Sequence, residues 1–130
     1  EQLLMDLSLN IRSMVSQRLV PREKSEGRIA AVEIMIGTPL VSDLIFRGEV
    51  AKIKEVMARS TRLGMNTFDQ ALFQLYEAGQ ISYEECLRNA DSKNELRLRI
   101  KLESKREDRL QAEASSTLRI VDESNEGTVY

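Results

Sequence analysis

The sequence predicts a mixed α+β fold, in which a helix and an antiparallel β-hairpin precede a group of short helices. Two runs rich in β-branched residues flank a polar, glycine-containing turn near the N-terminus, a pattern typical of a hairpin. Further along, N-capping residues and glycines alternate, which is typical of short helices joined by tight turns. With 130 residues, 42% apolar side chains and only 5% aromatic ones, the chain can bury a modest aliphatic core.

The composition excludes several kinds of chemistry. The 19 Lys and Arg residues nearly balance 21 Asp and Glu, whereas nucleic-acid binders usually show a basic excess, so we expect no nucleic-acid partner. The sequence has no His, which excludes His-based acid–base catalysis and His-ligated metal sites. Its single Cys, Cys86, can form no internal disulfide, which favours a reducing compartment.

The chain starts at Glu1, without an initiator Met and within a helical pattern. No apolar stretch approaches the roughly 20 residues of a membrane-spanning helix, and no signal peptide is evident. We therefore expect a fragment of a longer protein.

The first elements follow from the spacing of apolar residues. Leu4, Leu7, Ile11 and Met14 at helical spacing predict a helix over 2–13. The runs at 15–20 and 28–36, on either side of the polar turn, predict two antiparallel strands. The second strand is apolar on both faces except at Glu33, so we expect it to be buried on both sides, with Glu33 ion-paired or at an edge rather than functional.

Four helices are predicted after the hairpin. Thr38 is an N-cap followed by Pro39 at the first helical position, and this helix ends at Gly48. A second helix is predicted over 50–63. Capping-box patterns at 67–70 and 82–85 predict the third and fourth helices. Because the connections are short, we expect these helices to pack as one compact subdomain.

The last third of the chain has a different pattern. Residues 94–102 alternate polar and apolar side chains, which predicts a strand with a solvated basic face formed by Arg97, Arg99 and Lys101. Leu, Arg and Lys are also good helix formers, so a helix is the alternative. A second short strand is predicted over 116–122 and a polar, frayed tail over 123–130.

The residues alone predict no active site. The six glycines are isolated, and none belongs to a phosphate-binding loop pattern. The carboxylate pairs at 84–85 and 107–108 are typical of helix starts and surfaces. The apolar stripe between Leu40 and Ile45 predicts either core or a partner-facing patch. Composition and spacing thus describe a cytosolic α+β fragment without chemistry of its own.

Three segments nevertheless resemble a known family. They are G-R-I-A-A-V-E-I-M-I-G-T-P at 27–39, G-M-N-T-F-D-Q-A-L at 64–72, and S-L-N-I-R with V-S-Q-R-L-V between 8 and 20. These segments resemble, in the same order, motifs of the type IV pilus retraction ATPases, the PilT/PilU family of the secretion ATPase superfamily. The run at 94–102 and the acidic tail resemble the PilU branch more than the PilT branch. The resemblance spans about residues 1–102.

The resemblance implies a fold and a division into domains. It implies the C-terminal end of a RecA-like ATPase core over 1–37, followed by a helical C-terminal domain over 38–92. A strand-like, charged extension over 93–122 and a flexible tail over 123–130 complete the division. In the family the nucleotide-binding motifs precede this region, so the resemblance implies no catalytic, cofactor-binding or metal-binding residue here, with ATP and Mg bound elsewhere in the parent protein.

The resemblance also implies a function. It is that of a hexameric, AAA+-like motor, cytoplasmic and peripheral to the inner membrane at the pilus base, which drives pilus retraction and twitching motility. Implied partners are further copies of the chain, a PilT-like primary motor and the membrane platform protein of the pilus. A stand-alone cytosolic adaptor module is the alternative, and an enzyme complete within these residues would need a site that the sequence does not show.

One family motif, A-I-R-N-L-I-R-E, is needed for retraction and aligns with 40–47. The implied transmission surface consists of Leu40, Val41, Ser42, Asp43, Leu44, Ile45, Phe46 and Arg47. Leu44 and Ile45 keep the apolar pair of the motif. The Arg-Asn pair is replaced by Ser42 and Asp43, and the Arg-Glu pair by Phe46 and Arg47. This departure fits an accessory paralogue that assists a primary motor.

Overall fold

A computed structural model describes residues 1–106 of the chain. It confirms the predicted α+β class, with one antiparallel hairpin among short helices. The elements in chain order are α1 (Gln2–Asn10), β1 (Ser13–Pro21), β2 (Arg28–Ile36), α2 (Pro39–Arg47), α3 (Val50–Arg59), a 3₁₀ turn (Thr61–Leu63), α4 (Phe68–Glu77), α5 (Tyr83–Arg88) and α6 (Lys93–Glu103). No helix among these residues is long and apolar enough to span a membrane.

The predicted hairpin is confirmed, and its register decides which side chains share a face. Strands β1 and β2 pair from Ser13 opposite Ile36 to Pro21 opposite Arg28. Because side chains alternate between the faces of a strand, one face carries two rows of residues that lie opposite one another. These rows are Met14, Ser16, Arg18 and Val20 on β1, and Met35, Glu33, Ala31 and Ile29 on β2.

Both hydrophobic cores of the described chain include residues of that face. Near the turn, Val20 and Ala31 are buried with side chains of α4, α5 and α6, including Leu72 and Leu96. At the opposite end of the hairpin, Met35 is buried with residues of α2, α3 and the loop before α4. The four predicted helices, α2 to α5, are therefore divided between the two cores, and the domain boundaries drawn from the sequence stay a prediction.

Capping residues begin α2, α4 and α5 where their sequence patterns predict, although of the capping box predicted at 82–85 only the bond to the Ser82 hydroxyl is formed. The hydroxyl of Thr38 accepts a hydrogen bond from the Val41 amide at 3.3 Å, and Ser82 caps α5 in the same way. Gly48 and Gly64 follow their helices with φ values of +72° and +92°, which strain any side chain. Helix α3 is shorter than predicted, because it ends at Arg59 and a separate 3₁₀ turn completes the segment up to Gly64.

The capping box at the start of α4 permits a direct test. Thr67 Oγ1 accepts from the Gln70 amide at 3.2 Å, and the Gln70 side chain accepts from the Thr67 amide at 3.0 Å. We expect Thr67→Ala to lower the free energy of unfolding by about 1 kcal/mol, because it removes the cap of a packed helix. Urea unfolding followed by circular dichroism measures the change. Thr61→Ala, at an exposed position of the 3₁₀ turn, is the control, and an equal loss in both variants would contradict the capping role.

The predicted strand over 94–102 is wrong, because these residues form most of helix α6. Leu96 and Ile100 are both buried, whereas Leu98 and Leu102 are 56% and 74% exposed. Residues four apart lie on the same face of a helix, so the core accepts only every second member of the alternating row. The intrinsic helix preference of Leu, Arg and Lys therefore prevails over the period-two pattern.

The predicted basic strand face is wrong for the same reason. Arg99 lies 4.3 Å from the centre of the Phe73 ring and pairs with Glu103 one helical turn further on, at 3.0 Å. Arg97 and Lys101 are exposed on other parts of α6. The strand predicted over 116–122 and the tail over 123–130 lie outside the described residues.

Candidate functional site

Helix α2 carries the predicted transmission surface, and burial divides its eight residues. Val41, Leu44 and Ile45 are buried in the same cluster as Met35 and Met57. They support the fold and are inaccessible to a partner while the chain is folded. The side chains that a partner could contact are those of Leu40, Ser42, Asp43, Phe46 and Arg47, of which only Ser42 is half-buried.

The accessible side of α2 combines apolar and charged groups. Leu40 is 54% exposed and Phe46 is 58% exposed. Asp43 and Arg47 lie one turn apart, between Leu40 and Phe46 around the helix. Arg47 pairs with Asp43 through two contacts of 3.1 and 3.2 Å. The role of this surface in transmission remains a prediction, now restricted to its outward residues.

A second feature was not predicted as a site. A cleft of about 740 Å³ lies between α3, the start of α4 and α6, and residues in the middle of the hairpin also line it. Glu33, the carboxylate noted in the apolar strand, has a side chain only 13% exposed. It contacts the Lys54 ammonium group and accepts a hydrogen bond from the Phe68 amide at 3.1 Å. The ion-paired position expected for Glu33 is therefore confirmed.

The same cleft holds Arg18 and Asp91. Arg18 donates to Asp91 at 2.8 Å and to the Asn89 carbonyl oxygen at 2.6 Å, and Lys54 approaches Asp91 at 3.3 Å. Burial raises the pKa of Asp91, but the hydrogen bond from Arg18 and the charge of Lys54 outweigh it, so that the pKa lies below its ordinary value. Asp91 is thus held as a carboxylate.

An aromatic ring and a helix start complete this arrangement. The Arg18 guanidinium lies 4.0 Å from the centre of the Phe68 ring, and the Lys54 ammonium lies 5.5 Å from it. Asp69 accepts from the amides of Asp91 and Ser92 at 2.7 and 3.0 Å, which fixes the segment that leads into α6. From the residues alone the sequence singled out only Glu33 of this group, although Arg18, Phe68 and Asp69 lie within the segments that resemble the family.

The described residues do not fit a nucleotide and its metal ion. The positive-φ glycines lie in the hairpin turn and after helices, and no phosphate-binding loop occurs in the sequence. Within residues 1–106, no group of three or more Cys, Asp or Glu side chains is arranged to hold a metal. Burial raises the pKa of the Cys86 thiol to about 12, so the thiolate that reacts as a nucleophile is scarce at neutral pH. No chemical step is therefore derived from these residues.

The fold matches that of a solved motor protein. A structure of the pilus retraction motor PilT with bound ADP superposes with a TM-score of 0.61 and 26% sequence identity, covering 72% of this chain and 25% of that one. The mixed α+β architecture is consistent with the C-terminal part of a RecA-like ATPase, the class to which that motor belongs.

Curated relatives specify the family. The chain is 55% identical to the type IV pilus ATPase PilU of Pseudomonas aeruginosa over 103 residues, which cover 79% of this chain and 27% of PilU. It is 39% identical to PilT of the same organism over 84 residues, or 65% of this chain and 24% of PilT. The chain belongs to the PilT/PilU family, as its motifs indicate, and spans about a quarter of the length of these relatives. No family model matches it.

Proposed function

We propose that the chain is a non-catalytic part of a PilU-like type IV pilus retraction motor. It passes motion driven by ATP hydrolysis elsewhere in the parent protein to neighbouring subunits or to the pilus platform. The observation that carries the proposal is the 55% identity to PilU over most of the chain. The lack of a phosphate-binding loop in the sequence supports a non-catalytic role for this segment.

The two faces of the hairpin suggest how motion passes from the ATPase core to α2. The face opposite both cores carries Val15 and Leu19, which are exposed, and Val32 and Ile34, which are half-buried, so the expected burial of β2 on both sides is incomplete. An apolar face of this kind on a two-stranded sheet favours a covering layer. In the parent protein we assign that layer to the ATPase core, while the other face carries α2 and its outward residues.

The remaining properties belong to the parent protein. It binds ATP and Mg, assembles as a hexamer and works in the cytoplasm at the inner-membrane base of the pilus. Its partners are a PilT-like primary motor and the membrane platform protein. The names of the relatives, a pilus ATPase and a retraction ATPase, and the ADP bound to the solved PilT support the nucleotide and the link to the pilus. The hexamer, the location and the partners are proposed from membership of the PilT/PilU family.

A pair of substitutions in the full-length parent tests this function. We expect Leu40→Asp combined with Phe46→Asp to abolish twitching motility but to keep ATPase activity within about twofold, since both side chains are exposed and this segment contains no phosphate-binding loop. The measurements are colony twitching and phosphate release by the purified hexamer. Leu98→Asp, at an exposed apolar position of α6, is the matched control and should spare both activities.

Three outcomes would contradict the proposal. They are normal motility in the Leu40/Phe46 variant, equal loss of motility in the control, and ATP hydrolysis by the 130-residue chain alone. A parent gene without a phosphate-binding loop would favour the adaptor alternative instead.

A further inference from the structure

Polar residues separate the two cores on the face of the hairpin that they share. Val20 and Ala31 belong to the core near the turn, and Met35 belongs to the other. On the same face, Arg18 lies opposite Ala31, and Glu33 lies between Ala31 and Met35. Arg18 contacts the core near the turn through the Phe68 ring, but both charged groups are ion-paired with other residues, so the apolar packing between the two cores is interrupted at this point. The α2–α3 unit (39–59) and the α4–α6 unit (68–103) are therefore packed separately onto the hairpin.

Four charged side chains bridge the interruption in alternating order. Arg18 contacts Asp91, Asp91 contacts Lys54, and Lys54 contacts Glu33. Each comes from a different part of the chain: β1, the loop between α5 and α6, α3, and β2. Lys54 thus connects the α2–α3 unit both to the hairpin and to the α4–α6 unit. One further hydrogen bond, from the Gln70 side chain to the Ala58 carbonyl oxygen at 3.0 Å, also joins α3 to α4.

The covalent connection between the units permits movement at one place. Asn66 is fixed to the edge of β2 by backbone hydrogen bonds with Ile34 of 2.8 and 3.0 Å. The segment between α3 and Asn66 consists of Ser60, a 3₁₀ turn, Gly64, whose φ is +92°, and Met65, which is buried with α2 and α3. Short turns that contain a glycine absorb changes in backbone angle more easily than helices do.

We propose that Arg18, Asp91, Lys54 and Glu33 form an electrostatic clasp that joins the two sides of the cleft between α3 and α6. The clasp holds the α2–α3 unit in one orientation on the hairpin, and the segment before Asn66 is the hinge on which the unit moves when the clasp opens. Only the purpose that we assign to the clasp rests on the proposed function. That purpose is to make α2 follow the movement of the hairpin.

The strength of such a clasp suits a contact that is made and broken. The side chains of Arg18, Asp91 and Lys54 are 37%, 38% and 46% exposed, and ion pairs this accessible contribute little when isolated. The cluster is held together by Glu33, which is mostly buried and also accepts from the Phe68 amide. Groups that share partners in this way are coupled, so losing one weakens the others.

Amide hydrogen exchange of the chain measures whether the clasp restrains α3. We expect Lys54→Met to lower the protection of α3 amides roughly threefold to tenfold, while protection in α4 and α6 changes little. The matched control is Lys52→Met, two residues before Lys54 on the same helix. Lys52 forms an ion pair with Glu49, takes no part in the clasp and reaches neither core. Unchanged protection of α3, or equal loss of protection in every helix, would overturn the proposal.

A second variant separates the clasp from general destabilisation. Asp91→Asn keeps the shape of the side chain but removes its charge, and should also deprotect α3. If the charges act as one unit, the Lys54→Met/Asp91→Asn double variant loses less protection than the sum of the two single losses. Additive losses would mean independent pairs and would refute the clasp. Hydrogen exchange needs neither nucleotide nor pilus, so a negative result would refute the clasp without contradicting the proposed motor function. Conversely, normal motility in the Leu40/Phe46 variant would contradict the proposed function without refuting the clasp.

Discussion

Leu44→Asp is expected to unfold the chain, not to separate ATP turnover from motility. Leu44 is buried among Met35, Ile53 and Met57, where a carboxylate would have no partner and no water. We expect a loss of at least about 4 kcal/mol in the free energy of unfolding, which is a large part of the stability of an ordinary domain. Urea unfolding and thermal melting of the purified chain measure the loss, and Ile45→Asp should behave alike.

The control for this prediction lies on the same helix. Phe46 is exposed, so Phe46→Asp should change the free energy of unfolding by about 0.5 kcal/mol or less. A folded, stable Leu44→Asp chain would show that α2 does not pack as described. The comparison matters for function, because loss of motility in a Leu44 or Ile45 variant would report a lost fold and say nothing about transmission.

Arg106→Met is expected to destabilise the chain by about 2–3 kcal/mol, since it removes charged hydrogen bonds from a buried position. The Arg106 guanidinium donates to the carbonyl oxygens of Tyr76 and Ile81 at 3.0 and 2.8 Å and also contacts the Glu23 carboxylate. The Cζ atom of Arg106 lies 4.5 Å from the centre of the Tyr76 ring. These contacts fix the segment after α6 against α4 and the hairpin turn. Chemical unfolding measures the change.

Two comparisons assign the loss to particular contacts. Glu23→Gln removes only the charge of the partner, whose side chain is 30% exposed, and should cost less than Arg106→Met. Lys101→Met, at an exposed position of α6, should have almost no effect. If Glu23→Gln cost as much as Arg106→Met, the ion pair and not the two carbonyl contacts would carry the stability.

Local signals in the sequence predicted most of the helix ends and the hairpin. Thr38 and Thr67 cap the N-termini of α2 and α4 as their patterns indicate, and Gly48 and Gly64 adopt the positive φ that favours glycine. Such features succeed because the interacting atoms lie within four residues of one another. The family was equally accessible, because its motifs are short runs of adjacent residues.

Predictions from the sequence failed where the burial of a side chain depends on elements distant in the chain. The alternation at 94–102 predicted a strand, but the position of α6 against the core accepts Leu96 and Ile100 and leaves Leu98 and Leu102 in water. On α2, the same apolar run contains Leu40, which faces outward, and Leu44, which is buried. Residue type alone does not distinguish such positions, because burial depends on what packs against them.

The amino-acid sequence by itself determined the α+β class, the turns and caps, the family, and the lack of a nucleotide-binding loop. Only the tertiary structure decided which residues of α2 a partner can contact, that 94–102 is a helix, and that Arg18, Glu33, Lys54 and Asp91 meet in one cleft. The physical reason is range. Caps and turns join atoms that the chain already holds close together, whereas burial and ion pairs between distant residues arise only when the helices are packed onto the hairpin.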